Sequence, residues 1–244
     1  MKIIDVNMSV GGRDSRGALV TPEALLEQMS LYRIDRAVCY HENALLDPLS
    51  GNAEMKRIAS SSAGRIGVSA VLDPVLGADC LPGTGSLIQR LESFQPESLH
   101  IFPSECRVPL CPFYWEEILN AADRTGLPIL IDDRYSLNFF ARLPDIAAQY
   151  PNAKFVLARY GTCGSRTVLP LMQKCTNVYF TAESMLDNDQ IEEIAEKTGG
   201  DKLLFATNWP RLSPAGALGL ALYANISEEV RQKLLYRNWE AMGV

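Results

Sequence analysis

Positive charge is nowhere concentrated in this chain. Its 23 Lys and Arg are scattered among 29 Asp and Glu, the formal net charge is −6, and no Lys/Arg-rich block occurs. That pattern excludes the electrostatic footprint of a nucleic-acid-binding or anionic-membrane-binding protein. No apolar stretch reaches the ~20 residues needed to span a bilayer, and "MKIIDV" runs into a strand pattern without a long apolar leader. The expectation is a cytoplasmic, unsecreted protein with no membrane partner. No cysteine pair has the two-residue spacing of a zinc or redox motif. The closest, Cys106 and Cys111, has four residues between its members, so the six cysteines are read as reduced thiols. Histidine is scarce, with only His41 and His100. A P-loop, a nucleophile elbow and a Ser-His-Asp order are all missing. "VGGRDSRG" lacks GxGxxG spacing and precedes a long loop instead of a helix, which removes the dinucleotide-binding sheet.

What the chain does have is 244 residues, 47% of them hydrophobic, enough for one sizeable core. Short apolar runs alternate with segments of helical period. Candidate strands cover residues 2–6, 37–40, 66–72, 98–102, 129–131, 154–158, 178–181 and 203–206. Between them "TPEALLEQMSLYR" offers Thr21 as a cap and Pro22 at the first helical position, and the segment 114–125 is closed by Gly126. Further helices are expected over 53–61, 85–93, 137–149, 166–174, 188–198, 214–223 and 227–242. Strands joined by helical crossovers must run parallel. Eight such units predict a single-domain α/β fold, a (β/α)8 or TIM barrel over residues 1–244, with any active site on the loops that follow the strands.

Several motifs carry a resemblance. "IIDVNMS", "SLYRIDRAVCY", "GRIGVSAVLDP", "TGLPILIDD", "LPDIAAQYPNAKFVLARYG" and "DKLLFATNWP" follow one another in the chain. In order and spacing they resemble successive strands and helices of the amidohydrolase-related family of metal-dependent hydrolases, the branch that also holds decarboxylases and lactonases. The resemblance implies metal ligands at the strand ends: His-x-His after the first strand, a histidine after the fifth, another after the sixth and an aspartate after the eighth. This chain has Asn7 and Ser9, Asp132, Arg159 and Asn208 at those positions. An amide and a hydroxyl are poor ligands for a zinc-like ion and a guanidinium cannot be one, so no metal and no other cofactor is expected.

Asn7 and Ser9, two apart on a strand, are expected to share a face with Ile3 and Asp5 and to offer hydrogen bonds to a ligand. Asp132 and Arg159 are expected to form an ion pair on the former metal site, with Arg159 as anchor for a carboxylate. Arg134, Arg211 and Asn208 join them as substrate-binding candidates. His41, Asp132 and Glu183 are the candidate catalytic acids and bases, with Asp133 behind them. His100, inside "SLHIF", reads as a hydrogen-bonded core residue. Two functions follow. One is a hydrolase, lactonase-like, that acts without a metal on a small carboxylate-bearing substrate. The other is a noncatalytic barrel that binds a metabolite or a partner protein. A small carboxylate or lactone is the expected ligand, and a homo-oligomer is compatible with either reading.

Overall fold

The computed structural model describes residues 1–133, 137–160 and 164–243. Eight strands lie in one sheet in sequential order, all parallel to their neighbours. They are β1 (Ile4–Val10), β2 (Arg36–His41), β3 (Ile66–Val71), β4 (Ser98–Ile101), β5 (Pro128–Asp132), β6 (Lys154–Ala158), β7 (Val178–Thr181) and β8 (Leu203–Leu204). The sheet is closed between its last strand and its first, where Val6 N donates to Phe205 O at 3.0 Å. The crossovers are α1 (Pro22–Leu31), α2 (Pro48–Ser60), α3 (Leu87–Phe94), α4 (Pro103–Cys106), α5 (Pro112–Thr125), α6 (Leu137–Gln149), α7 (Ser165–Lys174), α8 (Gln190–Thr198) and α9 (Pro214–Tyr223). The architecture is a (β/α)8 barrel.

Local chemistry starts and stops these elements where the sequence says it should. Thr21 accepts the Ala24 N–H with Pro22 in the first turn of α1, and Gly126 ends α5 at φ 68°. The chain ends in one helical run of α10 (Glu228–Gln232), a π-turn (Lys233–Arg237) and α11 (Asn238–Glu240). No helix among the described residues is long and apolar enough to cross a membrane.

Strand alternation sorts the side chains into two layers. Ile4, Val6, Val38, Leu130, Val156, Ala158, Leu204 and Ala206 fill the barrel, joined by Trp239 and Met242 from the end of the chain. Those last two close the end where strands begin, since Lys154, the first residue of β6, donates to Met242 O. Leu99, Ile101, Ile129, Ile131 and Leu157 face outward, in one layer with helix residues such as Trp115 and Leu119.

The first strand departs from expectation in an instructive way. It runs on to Val10 instead of ending at Val6, and its pairing with β2 slips between Asp5 and Met8. Ile4 and Val6 lie in the interior layer while Met8 and Val10 lie in the outer one, so the slip is a bulge that reverses the alternation. Asn7 and Ser9 therefore share the inward face with Ile4 and Val6, not a face with Ile3 and Asp5. Asp5 supports the bulge: its Oδ1 accepts the N–H groups of Asn7 (3.0 Å) and Thr207 (3.2 Å), and its Oδ2 accepts the Thr207 hydroxyl at 2.5 Å.

Candidate functional site at the barrel mouth

At the ends of the strands the apolar interior gives way to polar side chains. Asp132 ends β5, facing inward like Leu130 two residues before it. Arg159 follows β6 with a left-handed backbone (φ 49°), a conformation uncommon outside glycine. Its Nη2 donates to Asp132 Oδ1 at 2.6 Å and its Nε to Asp132 Oδ2, a two-pronged pair in which both side chains are 2% exposed. The expected ion pair is present. Burial alone would lower the pKa of Arg159, but the Asp132 carboxylate more than reverses this and holds it above its ordinary value.

Glu183, just beyond β7, lies beside the pair. Its Oε1 accepts the Arg159 N–H (3.2 Å) and the Thr181 hydroxyl (2.9 Å), while Oε2 is buried without a partner. Burial pushes its pKa up to about 7 against those hydrogen bonds, with a further small rise from Asp5. Asp5 is itself raised to about 7 by burial. Two carboxyls that sense each other thus titrate near neutrality inside one barrel.

The opposite wall is built on Glu42, which sequence reasoning overlooked. Its Oε1 accepts the hydroxyls of Ser9 (2.8 Å) and Tyr40 (3.1 Å), and its Oε2 accepts Arg211 Nη2 at 2.9 Å. A signal existed: Tyr40 is an inward position of β2, and Glu42 lies two residues on. Asn208, with φ 55°, ties the last strand to the first by donating its N–H to Asn7 O at 3.0 Å. Several buried polar atoms here have no partner among the described residues: Asn7 Oδ1 and Nδ2, Arg159 Nη1, Glu183 Oε2, His100 Nε2 and Arg211 Nη1.

His41 corrects the expectation of a catalytic acid or base in the mouth. Tyr40 packs inward against Val71 and Phe102, so His41, the next residue, points the other way. Its Nδ1 accepts the Asn43 N–H at 3.1 Å and caps a short 3-10 turn. Its ring covers Gly11, whose φ is 79° and where an added Cβ would overlap the imidazole. Gly11→Ala is therefore expected to cost roughly 1 to 2 kcal/mol from backbone strain and crowding, read as a lowered urea midpoint. An unchanged midpoint would show that this approach is not tight. Asp133 accepts the Ser104 hydroxyl. Arg134 and Cys163 lie outside the described residues. Cys39, Cys80, Cys106, Cys111 and Cys175 are free thiols.

The donor set does not fit a divalent ion. The positions implied to bind one carry an amide, a hydroxyl, a guanidinium and a second amide, and the single carboxylate among them, Asp132, has both oxygens on Arg159. Among the described residues no three His, Cys, Asp or Glu side chains converge as a metal-binding group.

Solved structures with the same fold cover nearly the whole chain. An uncharacterised TIM-barrel protein from Bordetella bronchiseptica superposes with a TM-score of 0.76 at 15% identity, over 99% of this chain and 98% of that one. A 2,6-dihydroxybenzoate decarboxylase from Rhizobium gives 0.73 at 12% identity, over 99% and 98%. A 5-carboxyvanillate decarboxylase from Novosphingobium aromaticivorans, solved with manganese and 3-methoxy-4-hydroxy-5-nitrobenzoic acid, gives 0.77 at 13% identity, over 100% and 97%. A search of curated proteins by sequence finds no match. The amidohydrolase family model matches residues 104–242; this is more than half of the sequence, and the chain belongs to the amidohydrolase family.

Proposed function

We propose that the mouth is a hydrolytic site that works without a divalent metal and opens a small lactone, or a related carboxylate-bearing ester. The observation that carries this reading is the set of buried, unpartnered polar atoms at the strand ends, on Asn7, Arg159 and Glu183. Between them they supply two hydrogen-bond donors and one carboxylate oxygen. Solvent-excluded sites strengthen such contacts.

Glu183, with a pKa of about 7, is half ionised at neutral pH, where a general base works best. In the proposed reaction its Oε2 takes a proton from water as the water oxygen bonds to the substrate carbonyl carbon. Arg159 Nη1 and Asn7 Nδ2 donate to the carbonyl oxygen as charge develops on it. The tetrahedral species then expels the alkoxy oxygen, which takes the proton back from Glu183. A hydroxy acid results.

Charge matching refines the ligand. Arg159 is balanced by Asp132, and Arg211 by Glu42, so among the described residues these two arginines of the mouth are each matched by a carboxylate. An uncharged lactone suits it better than a free dianion, and the carboxylate product meets an ionised Glu183 and leaves. The decarboxylases that share the fold are named for aromatic carboxylates, which supports a small acid or its internal ester as the ligand class.

A panel of five- and six-membered lactones tests the proposal. Hydrolysis should rise with pH through about 7 as Glu183 ionises, persist in EDTA, and fall by roughly 10²- to 10⁴-fold in Glu183→Gln. Purified protein dialysed against chelator-free buffer should carry no stoichiometric transition metal by elemental analysis. Turnover that needs added zinc or manganese would overturn the metal-free mechanism. Thermal shifts with small carboxylates, but no turnover of any lactone, would instead leave a barrel that only binds.

A further inference from the structure

His100 does not behave as a satisfied core histidine. It lies on the inward face of β4, between Leu99 and Ile101, which face the outer layer, and it is fully buried. Its ring stacks on Phe102 at 4.2 Å between centroids and meets the edge of Tyr40 at 4.9 Å. Its Nε2 has no partner among the described residues. Behind it runs a chain of two buried hydroxyls. Ser98 Oγ donates to Ser69 Oγ at 2.8 Å, and Ser69 Oγ lies 3.5 Å from His100 Nδ1.

That chain has a direction. With the Ser98 hydroxyl directed at Ser69, the Ser69 proton is free to point at Nδ1, an arrangement that favours the tautomer with Nδ1 unprotonated. The ring proton goes to Nε2. The Phe102 ring stacked on it and the edge contact with Tyr40 oppose a second proton, as does the guanidinium of Arg159, and burial with that charge holds the imidazole well below its ordinary pKa. A buried N–H aimed at no protein acceptor is costly to maintain, and it is the kind of group a site keeps for its ligand.

We propose that His100 is a ligand-contacting residue: its Nε2–H, set by the Ser98 and Ser69 hydroxyls, donates a hydrogen bond to an uncharged carbonyl oxygen of a molecule bound in the mouth. The proposal rests on reading the mouth as a lactone- or ester-opening site. It adds a third donor, from the strand opposite β8, and it selects for acceptors. A neutral N–H rewards a carbonyl or ether oxygen and does nothing for a substrate that presents a donor there, so specificity is built into the floor of the mouth.

The test uses the full chain labelled with nitrogen-15 and 2-piperidone, a lactam that copies a six-membered lactone without being readily opened. With two histidines in the sequence, the His100→Gln variant assigns both rings. His100 should be neutral with its proton on Nε2 at pH 6 to 8, and adding 2-piperidone should move that signal while leaving His41 in place. His100→Phe, which preserves the aromatic stack, should weaken 2-piperidone roughly five-fold, the worth of one neutral hydrogen bond. His100→Gln, whose amide restores a donor, should recover part of the loss. Finding the proton on Nδ1, or a cation, would overturn the proposal. So would a lactam that shifts the Asn7 amide yet leaves His100 unmoved and binds His100→Phe equally well, with the hydrolytic reading intact. A lactam that shifts none of Asn7, Arg159 and His100 would remove both.

Discussion

Arg159→Ala is expected to lower stability by roughly 3 to 5 kcal/mol, because it strips the guanidinium from a carboxylate that stays buried. Asp132 is 2% exposed and both its oxygens are engaged by Arg159. Arg159→Lys should recover only part, since an ammonium is a point donor and cannot span both oxygens. The paired replacement Asp132→Leu with Arg159→Met should be far milder than either single change, since a buried ion pair exchanged for apolar groups of similar volume is often neutral in stability. Urea unfolding of the four proteins decides this. A loss under 1 kcal/mol for Arg159→Ala would mean that the pair is solvated and not the closed contact described above.

The second large effect is on pH dependence. Asp5 and Glu183 titrate near 7 in the folded protein, against ordinary values of 3.8 and 4.5. The unfolded chain therefore releases both protons by about pH 5, whereas the folded chain holds them until about 7. Across that window the folded state binds more protons, so each carboxyl contributes stability that is present in acid and lost as pH rises. The full difference is on the order of 3 to 4 kcal/mol per group. The carboxylates with lowered values, Asp14, Asp47, Glu54 and Glu193 among them, act below their ordinary pKa and leave the window alone, whereas His41 and His100, held below their ordinary 6.5, bind fewer protons when folded and offset part of the carboxyl effect. The urea midpoint should thus fall between pH 5 and pH 8. Asp5→Asn keeps the acceptor for the Asn7 and Thr207 N–H groups and should remove about half of the slope. A midpoint that stays level or climbs would show that these carboxyls are ionised throughout.

The barrel was legible because its information is local and repeated. An apolar strand run recurs eight times around the sheet, with caps such as Thr21 and stops such as Gly126 at some of the helices between them, and each can be read without its partners. The mouth was legible only where a residue's position along a strand settles its direction. Asp132 and Arg159 were found at strand ends, and their pairing follows from adjacent strands. Asn7 and Ser9 were found, but the face they share with Ile4 and Val6 depends on a bulge stabilised by Asp5 and Thr207, residues 202 apart in sequence. His41 and Glu42 were effectively exchanged: chemistry favoured the imidazole, whereas strand alternation turns it outward and brings the carboxylate in. His100 looked like core because nothing in "SLHIF" reveals that Nε2 has no partner.

The floor of the barrel links two distant parts of the chain in time. Trp239 and Met242 seal the interior layer beneath Ile4 and Leu204, and Val6 pairs with Phe205. During synthesis the first strand emerges early and waits for partners about 200 residues behind it, and the residues of the seal follow later still. Contacts so distant in sequence make closure slow. Until residues 239–242 are free of the exit tunnel, the nascent barrel is a curved sheet with an unpaired β1 edge and an open apolar floor, the state in which a chaperone would meet it.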